Sequence, residues 1–285
     1  MQIVANGTSY DIDPGTTVSA FVDARGLDPR FVIVERNGEA LERSRFAEVV
    51  LGDGDRLELV RAVAGGEDPG AARRARLGRS RLYVVTGARE ERGDLAAFLE
   101  AILSAGVDLV QLREKEAEAG DLLRWGSVFA EAARRHDALF VLNDRPDVAL
   151  ALGADGVHVG QNDLPPGVVR SLVGPDVLIG LSTHAEDQWE AVPSEVDYRS
   201  VGPVFATPTK PGRPGTGVGY VRRAANDSGM GGPPWFAIGG LNPSTLPEVI
   251  AAGASRVVVA RAVTEAADPP AAVRSLLALL PPPEP

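Results

Sequence analysis

From Arg81 onward, short apolar runs and helical stretches take turns eight times. The runs are RLYVVTG (81–87), LVQLRE (109–114), LFVLND (139–144), GVHVGQ (156–161), VLIGLST (177–183), YRSVGPVF (198–205), WFAIGGL (235–241) and RVVVARAV (256–263). Helix-like spacing follows each in turn, near 94–105, 120–136, 146–152, 166–173, 185–191, 218–228, 244–252 and 269–280. Strands covered on both faces read as near-continuous Val/Ile/Leu runs, as several of these do. Eight β/α units in about 200 residues fit an α/β chain closed into a (β/α)8 TIM barrel, at the short end of that architecture. An open, doubly wound sheet is the rival reading of the same alternation.

The first 66 residues follow another pattern. QIVAN (2–6) and Tyr10–Asp13 flank Asn6-Gly7, a tight hairpin signal. Thr16-Thr17 then precedes Val18, Phe21 and Val22, the apolar stripe of one short helix that Gly26 closes. FVIVE (31–35) before Asn37-Gly38 and RLELV (56–60) after Asp53-Gly54 add strands, giving a small α+β unit of order ββαββ that ends at Gly65-Gly66. Residues 67–80 break the pattern with Pro69-Gly70 and four arginines, and read as a linker running into a solvated leading helix. The expected division is therefore 1–66, 67–80 and 81–285.

The chain has 44% hydrophobic and 24% charged residues, enough for a sizeable core. No run approaches the roughly 18 apolar residues of a membrane span, and MQIVANGTSYDID has neither a basic region nor an apolar run, so a cytoplasmic location is expected. A net charge of −10 disfavours nucleic acid and anionic lipid as partners. With no cysteine, disulfides, cysteine-ligated zinc, iron–sulfur centres and thiol nucleophiles are excluded. Of 29 basic residues only Lys115 and Lys210 are lysines, and a lysine kept against so strong an arginine bias suggests a compact point charge.

A barrel gathers its chemistry at the C-terminal ends of its strands. Those ends read Gln111-Leu112-Arg113-Glu114-Lys115, Asn143-Asp144-Arg145, Gly160-Gln161-Asn162-Asp163, Ser182-Thr183-His184, Ala206-Thr207-Pro208-Thr209-Lys210, Gly239-Gly240 and Ala260-Arg261. Both lysines fall on this rim. Arg113, Lys115 and Lys210 offer positive charge to an oxyanion, while Asp144 and Asp163 form a carboxylate pair of the kind that holds Mg²⁺ together with substrate phosphate oxygens. Together they point to a diphosphate. The AIGGL end of strand seven and the turn after strand eight suit a second, monophosphorylated ligand. Each signal alone has a plainer reading: a strand-end Asp can cap a helix, Gly-Gly can serve packing, and Arg145 or Arg261 can pair with a carboxylate. His136 reads as surface, His158 as a satisfied barrel histidine, and His184 as a rim residue open to either role. The conjunction on one rim favours the functional reading.

QLREK (111–115), ND (143–144), ADGVHVGQ-x-D (154–163), GLSTH (180–184), GPVFATPTK (202–210), AIGGL (237–241) and the GAS-x-VVVARA segment after Ala252 resemble the thiamine-phosphate synthases. The resemblance covers about residues 80–280. It implies condensation of 4-amino-2-methyl-5-hydroxymethylpyrimidine diphosphate with a thiazole phosphate, or its carboxylated form, to give thiamine phosphate and diphosphate. It further implies that Asp144 and Asp163 hold Mg²⁺, and that Gln111, Leu112, Arg113, Glu114, Lys115, Asn143, Ser182 and Lys210 hold the pyrimidine diphosphate. Arg113, Lys115 and Lys210 would be the catalytic cations, and Thr207, Pro208, Thr209, Gly240, Ala260 and Arg261 would take the thiazole phosphate. A thiazole tautomerase-like barrel and a non-catalytic thiamine phosphate-binding barrel are the alternatives.

Residues 1–66 resemble the sulfur carrier of the same pathway, a β-grasp domain ending in Gly-Gly. That resemblance implies thiazole synthase and an adenylyltransferase as partners, and thiocarboxylation of Gly66. Glu67 follows directly, so either the chain is cleaved after Gly66 or the domain serves another role. The glycine- and proline-rich stretch 211–219 reads either as a mobile cover or as a structural turn.

Overall fold

The computed structural model describes residues 1–285 apart from 28, 30, 31, 62–67, 208–213, 228–231 and 283–285. It divides into two units, Met1–Asp68 and Pro69–Pro285.

In the first unit, β1 (Gln2–Ala5) and β2 (Thr8–Asp11) form a hairpin whose Asn6 and Gly7 both take positive φ, 48° and 76°. Helix α1 (Val18–Ala24) is capped by the Thr17 hydroxyl, which accepts the Ala20 N–H at 3.2 Å. β3 (Val32–Arg36) turns at Asn37-Gly38 into β4 (Glu39–Leu41), a three-residue edge strand beyond the expected ββαββ order. β5 (Arg56–Arg61) pairs parallel to β1 and antiparallel to β3, so the sheet order is β2-β1-β5-β3-β4. Ile3, Val34 and Leu57 from the sheet pack on Val18, Phe21 and Val22 of the helix, and all are buried. Asp55 ties the corner before β5, accepting from the Gly52 N–H at 2.7 Å, Asn37 Nδ2 at 2.8 Å and Arg36 Nε at 2.8 Å.

The second unit opens with α2 (Pro69–Arg79), then alternates β6 (Leu82–Thr86), α3 (Leu95–Ser104), β7 (Leu109–Leu112), α4 (Ala119–Arg135), β8 (Leu139–Asn143), α5 (Pro146–Leu152) and β9 (Gly156–Val159). It continues through α6 (Pro166–Val173), β10 (Leu178–Thr183), α7 (Glu186–Glu190), β11 (Tyr198–Val201), α8 (Gly217–Asp227), β12 (Trp235–Ile238), α9 (Leu246–Ala251), β13 (Val257–Val259), α10 (Arg261–Thr264) and α11 (Pro269–Leu279). All eight strands run parallel. The register Val257↔Leu82, Val258↔Tyr83 and Val259↔Val84 joins last strand to first and closes the barrel. The open sheet is excluded by that closure.

Alternate strand residues face two apolar layers. Val84, Val110, Leu112, Phe140 and Val157 pack outward under the helices, whereas Tyr83, Leu109, Val141, Tyr198 and Phe236 fill the interior. Two strands are shorter than their apolar runs. β11 stops at Val201 because Gly202-Pro203 follows, and the run after Val259 turns into α10 instead of extending β13.

Helix α2 differs from expectation in part, since Arg73 and Arg76 are half-buried against an acid whereas Arg74 and Arg79 stay exposed. Arg73 Nε lies 2.9 Å and Arg76 Nη2 3.2 Å from Asp155 Oδ1, and Arg74 Nη1 donates to the Pro175 carbonyl at 3.1 Å. Leu77 is buried within the interior cluster, so the helix stoppers the N-terminal mouth of the barrel. Aspartates just before the strands brace the same end. Asp155 also accepts the Phe140 N–H, Asp197 the Ile179 N–H, and Asp108 those of Arg81 and Leu82. A run of arginines signals solvent only where no half-buried acid faces it, as Asp155 faces Arg73 and Arg76. Among the described residues, no helix is long and apolar enough to cross a membrane.

Candidate active site

At the opposite mouth, the loop after β8 folds so that Asp144 takes φ 61°, a left-handed conformation that aspartate tolerates better than most residues. The Asp144 N–H donates to the His158 carbonyl at 2.9 Å, which turns its side chain toward the end of β9. There Asp163 is fixed by the Gly160 N–H, which donates to its Oδ2 at 2.7 Å. Burial first, and then the charge and hydrogen bonding of Asp163, push the Asp144 carboxyl above its ordinary range, while Lys115 and Asn143 pull it back. Lys115 Nζ stands 3.6 Å from Asp144 Oδ2.

Two facing carboxylates are mutually repulsive unless a proton or a cation lies between them. Such a donor set fits a hard divalent cation bound through two carboxylates. No group of three or more His, Asp or Glu side chains is placed to hold a metal among the described residues.

Inside this rim lies a cavity of about 490 Å³. Gln111 (β7), Asn143 (β8), His158 (β9), Ser182 (β10) and Ser200 (β11) line its interior side, with Arg113 just beyond β7. The register explains their convergence: Asn143 is paired with His158 and Ser182 with Ser200, so adjacent strands deliver polar side chains at one level. Gln111, His158, Ser182 and Ser200 are all buried. Two residues of the QLREK run point elsewhere. Leu112 is wholly buried in the outer apolar layer. The Glu114 carboxylate accepts the Ala88 N–H at 2.7 Å and lies so close to Gly87 that a side chain there would collide with it. Leu112 thus offers a ligand only its main chain, and Glu114 braces the loop after β6.

The other wall is built from the ends of β11, β12 and β13. Thr207, Gly239, Gly240, Asn242, Ala260 and Arg261 line it. Gly240, at φ 69°, packs against Phe205, and Gly239, at φ 105°, packs so closely on Pro203 that a Cβ would lie 2.5 Å from Pro203 Cα. These glycines bring the two loop backbones together beside the cavity. Arg261 lies 3.2 Å from Glu265, and Arg145 is paired with Asp147, the plainer role the sequence allowed each of them. Pro208, Thr209, Lys210 and Gly66 lie outside the described residues, as does 211–213 of the glycine-rich stretch. The following part is tied down, with Thr216 N–H donating to Pro203 O at 2.7 Å and Gly217 N–H to Val204 O at 2.9 Å.

Sequence reading left Ser200, Asn242 and the cavity role of His158 unassigned. The signal for two of them lay in strand alternation: Ser200 and His158 sit among apolar residues at inward positions, where a polar side chain must have a partner. His184 reaches the cavity as well, with its Nδ1–H donating to the Gly202 carbonyl. His136 instead meets Glu100 on the helical surface.

Comparison with known proteins bears on this site directly. Residues 82–263 match the family described as thiamine monophosphate synthase, and residues 3–66 match the ThiS family. A thiamine-phosphate synthase of Acidothermus cellulolyticus is 54% identical over 209 residues, spanning 73% of this chain and 98% of the relative. One from Mycobacterium leprae is 51% identical over 219 residues, spanning 72% and 92%. The solved thiamine phosphate pyrophosphorylase of Pyrococcus furiosus superposes with a TM-score of 0.63 at 30% identity, covering 72% of this chain and 96% of that one. A barrel closed by β13 and β6, a rim with paired carboxylates and a lysine, and matches of this length converge on one conclusion: the chain belongs to the thiamine monophosphate synthase family.

Proposed function

We propose that the barrel is a magnesium-dependent thiamine-phosphate synthase, joining 4-amino-2-methyl-5-hydroxymethylpyrimidine diphosphate to thiazole phosphate with release of diphosphate. The observation that carries this reading is the meeting of Gln111, Arg113, Asn143 and Ser182 in one cavity, with Asp144, Asp163 and Lys115 on its rim. Asp144 and Asp163 would hold Mg²⁺, which when bound neutralises charge on the departing diphosphate. Arg113, Lys115 and Lys210 would supply positive charge as negative charge grows on the breaking of the carbon–oxygen bond. Such charge favours the transition state over the ground state and needs no reorganisation. Gln111 and Ser182 orient the pyrimidine, and Thr207 to Thr209, Gly240 and the Ala260–Arg261 turn hold the thiazole phosphate. The thiazole nitrogen then forms the new bond to the exocyclic carbon. No protein nucleophile is required.

The assay combines both substrates with and without Mg²⁺. Magnesium-dependent thiamine phosphate supports the reading, whereas ligand binding without product favours a non-catalytic barrel.

For residues 1–66 the ThiS match supports a sulfur-carrier role in thiazole formation; such a carrier would work in the cytoplasm with thiazole synthase and an adenylyltransferase. Sulfur transfer needs a free carboxylate at Gly66, so this role requires cleavage before Glu67. Intact mass of protein from its own cell is the test. A fragment ending at Gly66, with sulfur replacing one carboxylate oxygen, supports the carrier, and a full-length species alone overturns it.

A further inference from the structure

Beneath the cavity a chain of hydrogen bonds crosses the barrel interior. Gln111 Nε2 donates to the Tyr83 hydroxyl, which lies 3.1 Å from the Tyr198 hydroxyl. That hydroxyl lies 3.1 Å from His158 Nδ1, and His158 Nε2 lies 2.9 Å from Ser182 Oγ. Gln111 and Ser182, the two ends, line the cavity. Tyr83 and Tyr198 sit one layer below it, two residues before the lining residues Val85 and Ser200, and both are fully buried. Burial holds both phenols well above their ordinary range, so each keeps its proton and has one to donate. Gly180 makes room for the chain, because a Cβ there would collide with both Tyr198 and His158 Nδ1.

Hydroxyls with one proton each, and an imidazole with one N–H, cannot be set independently. With Gln111 Nε2 donating to Tyr83, the arrangement that leaves no buried hydroxyl proton unpaired has Tyr83 donating to Tyr198 and Tyr198 to His158 Nδ1. His158 then carries its proton on Nε2 and donates to Ser182, whose hydroxyl also accepts from Ser200 Oγ at 3.4 Å, so the Ser182 proton is left for the cavity. Gln111 meanwhile has its carbonyl oxygen left for a ligand. Turning the Gln111 amide over reverses every link and inverts both ends together.

We propose that the Tyr83–Tyr198–His158 chain locks Gln111 as an acceptor and Ser182 as a donor toward the pyrimidine, and so selects an amino-substituted ring over its oxo counterpart. The inference rests on the pyrimidine reading of this cavity. A 4-aminopyrimidine presents an N–H beside a ring-nitrogen lone pair, which complements acceptor and donor. The 4-oxo ring presents a carbonyl beside a ring N–H, the reverse pattern. Because the two ends are coupled, a ligand with one correct and one wrong group gains no partial credit from rotating a single side chain. Sites that must leave a buried polar group unpaired reject the wrong ligand strongly. Tyr83 and Tyr198 are positioning residues here, touching no ligand themselves.

The test is calorimetry on the full chain with Mg²⁺, comparing the aminopyrimidine diphosphate with its 4-oxo counterpart in the absence of thiazole phosphate. Tyr198→Phe and Tyr83→Phe should each reduce the wild-type preference for the amino ring by about tenfold or more, the worth of one lost hydrogen bond. A merely structural role would weaken both ligands by the same factor and leave the preference unchanged, which overturns the proposal. Nitrogen-15 NMR of histidine-labelled, ligand-free wild type is the second arm, with His158 assigned by comparison with Tyr198→Phe. A proton on Nε2 supports the chain as described, and a proton on Nδ1 overturns it. This arm needs neither binding nor turnover, so a wild type that binds neither pyrimidine would count against the proposed activity while the tautomer still decides the network.

Discussion

Lys115 Nζ stands 3.6 Å from Asp144 Oδ2, and burial together with Asp163 pushes that same carboxyl toward its protonated form. The rim therefore holds a carboxylate whose charge one lysine only partly answers. Asp144→Asn removes the repulsion and the anionic ligand together. Its melting temperature should equal or exceed that of the wild type, while turnover falls by about 100-fold or more, as expected when a charge-stabilising group is removed. Thermal melts and steady-state assays on one preparation check both halves. A melting temperature several degrees lower would place Asp144 in a structural role.

A cation bound by the carboxylate pair should stabilise the fold by mass action. Mg²⁺ with inorganic diphosphate is expected to raise the melting temperature by more than the two separate additions combined, and Asp163→Asn should abolish the extra shift. An equal shift in the variant would move the metal elsewhere.

Glu114 answers to the loop after β6. Glu114→Ala leaves the Ala88 N–H without its acceptor and should cost about 1–3 kcal/mol of stability, whereas Glu114→Gln keeps an acceptor oxygen and most of that stability. Urea unfolding of the two variants separates these outcomes. If Glu114→Gln instead kept stability but lost diphosphate affinity, the side chain would belong with the ligand.

Asp55 should make the first unit sensitive to acid. Burial works to raise its carboxyl, but hydrogen bonds from Arg36, Gly52 and Asn37, with the Arg36 charge, outweigh burial and hold the group below its ordinary range. A depressed folded pKa contributes stability that is fully present above the unfolded value of about 3.9 and is lost as pH falls through the folded value. Hydrogen exchange of residues 2–61 should therefore show strong protection at pH 6 and weaker protection near pH 3. In Asp55→Asn the difference between the two pH values should shrink, and a variant with the same pH response would assign the sensitivity to another carboxylate.

Much of this arrangement is legible in the sequence because its causes are local. Val/Leu-rich runs such as LFVLND become strands wherever both faces are covered, and Asp144 and Asp163 meet because parallel neighbours end at one level and the turn after β9 ties Asp163 back to the Gly160 N–H. The QLREK run shows where legibility stops. Five consecutive residues read as one motif, yet strand alternation sends Gln111 inward and Leu112 outward, and the loop beyond turns Glu114 to Ala88. Those destinations depend on what lies across the barrel. The arginines Arg73, Arg74 and Arg76 of α2 are a second case, since their acids, Asp155 and Asp197, are 79 or more residues away in sequence. β4 escaped notice because three residues carry no periodicity of their own.

Helix α2 also sets where this polypeptide can be joined to another. Pro69–Arg79 is part of the barrel's foundation, held by Asp155, by the Pro175 carbonyl and by the burial of Leu77. A splice between Gly66 and Glu67 severs none of those ties, so whichever module is grafted upstream or trimmed away there, the barrel inherits an intact base. The same helix begins three residues after Gly66, close on the C-terminal side of the bond whose cleavage would free the glycine carboxylate.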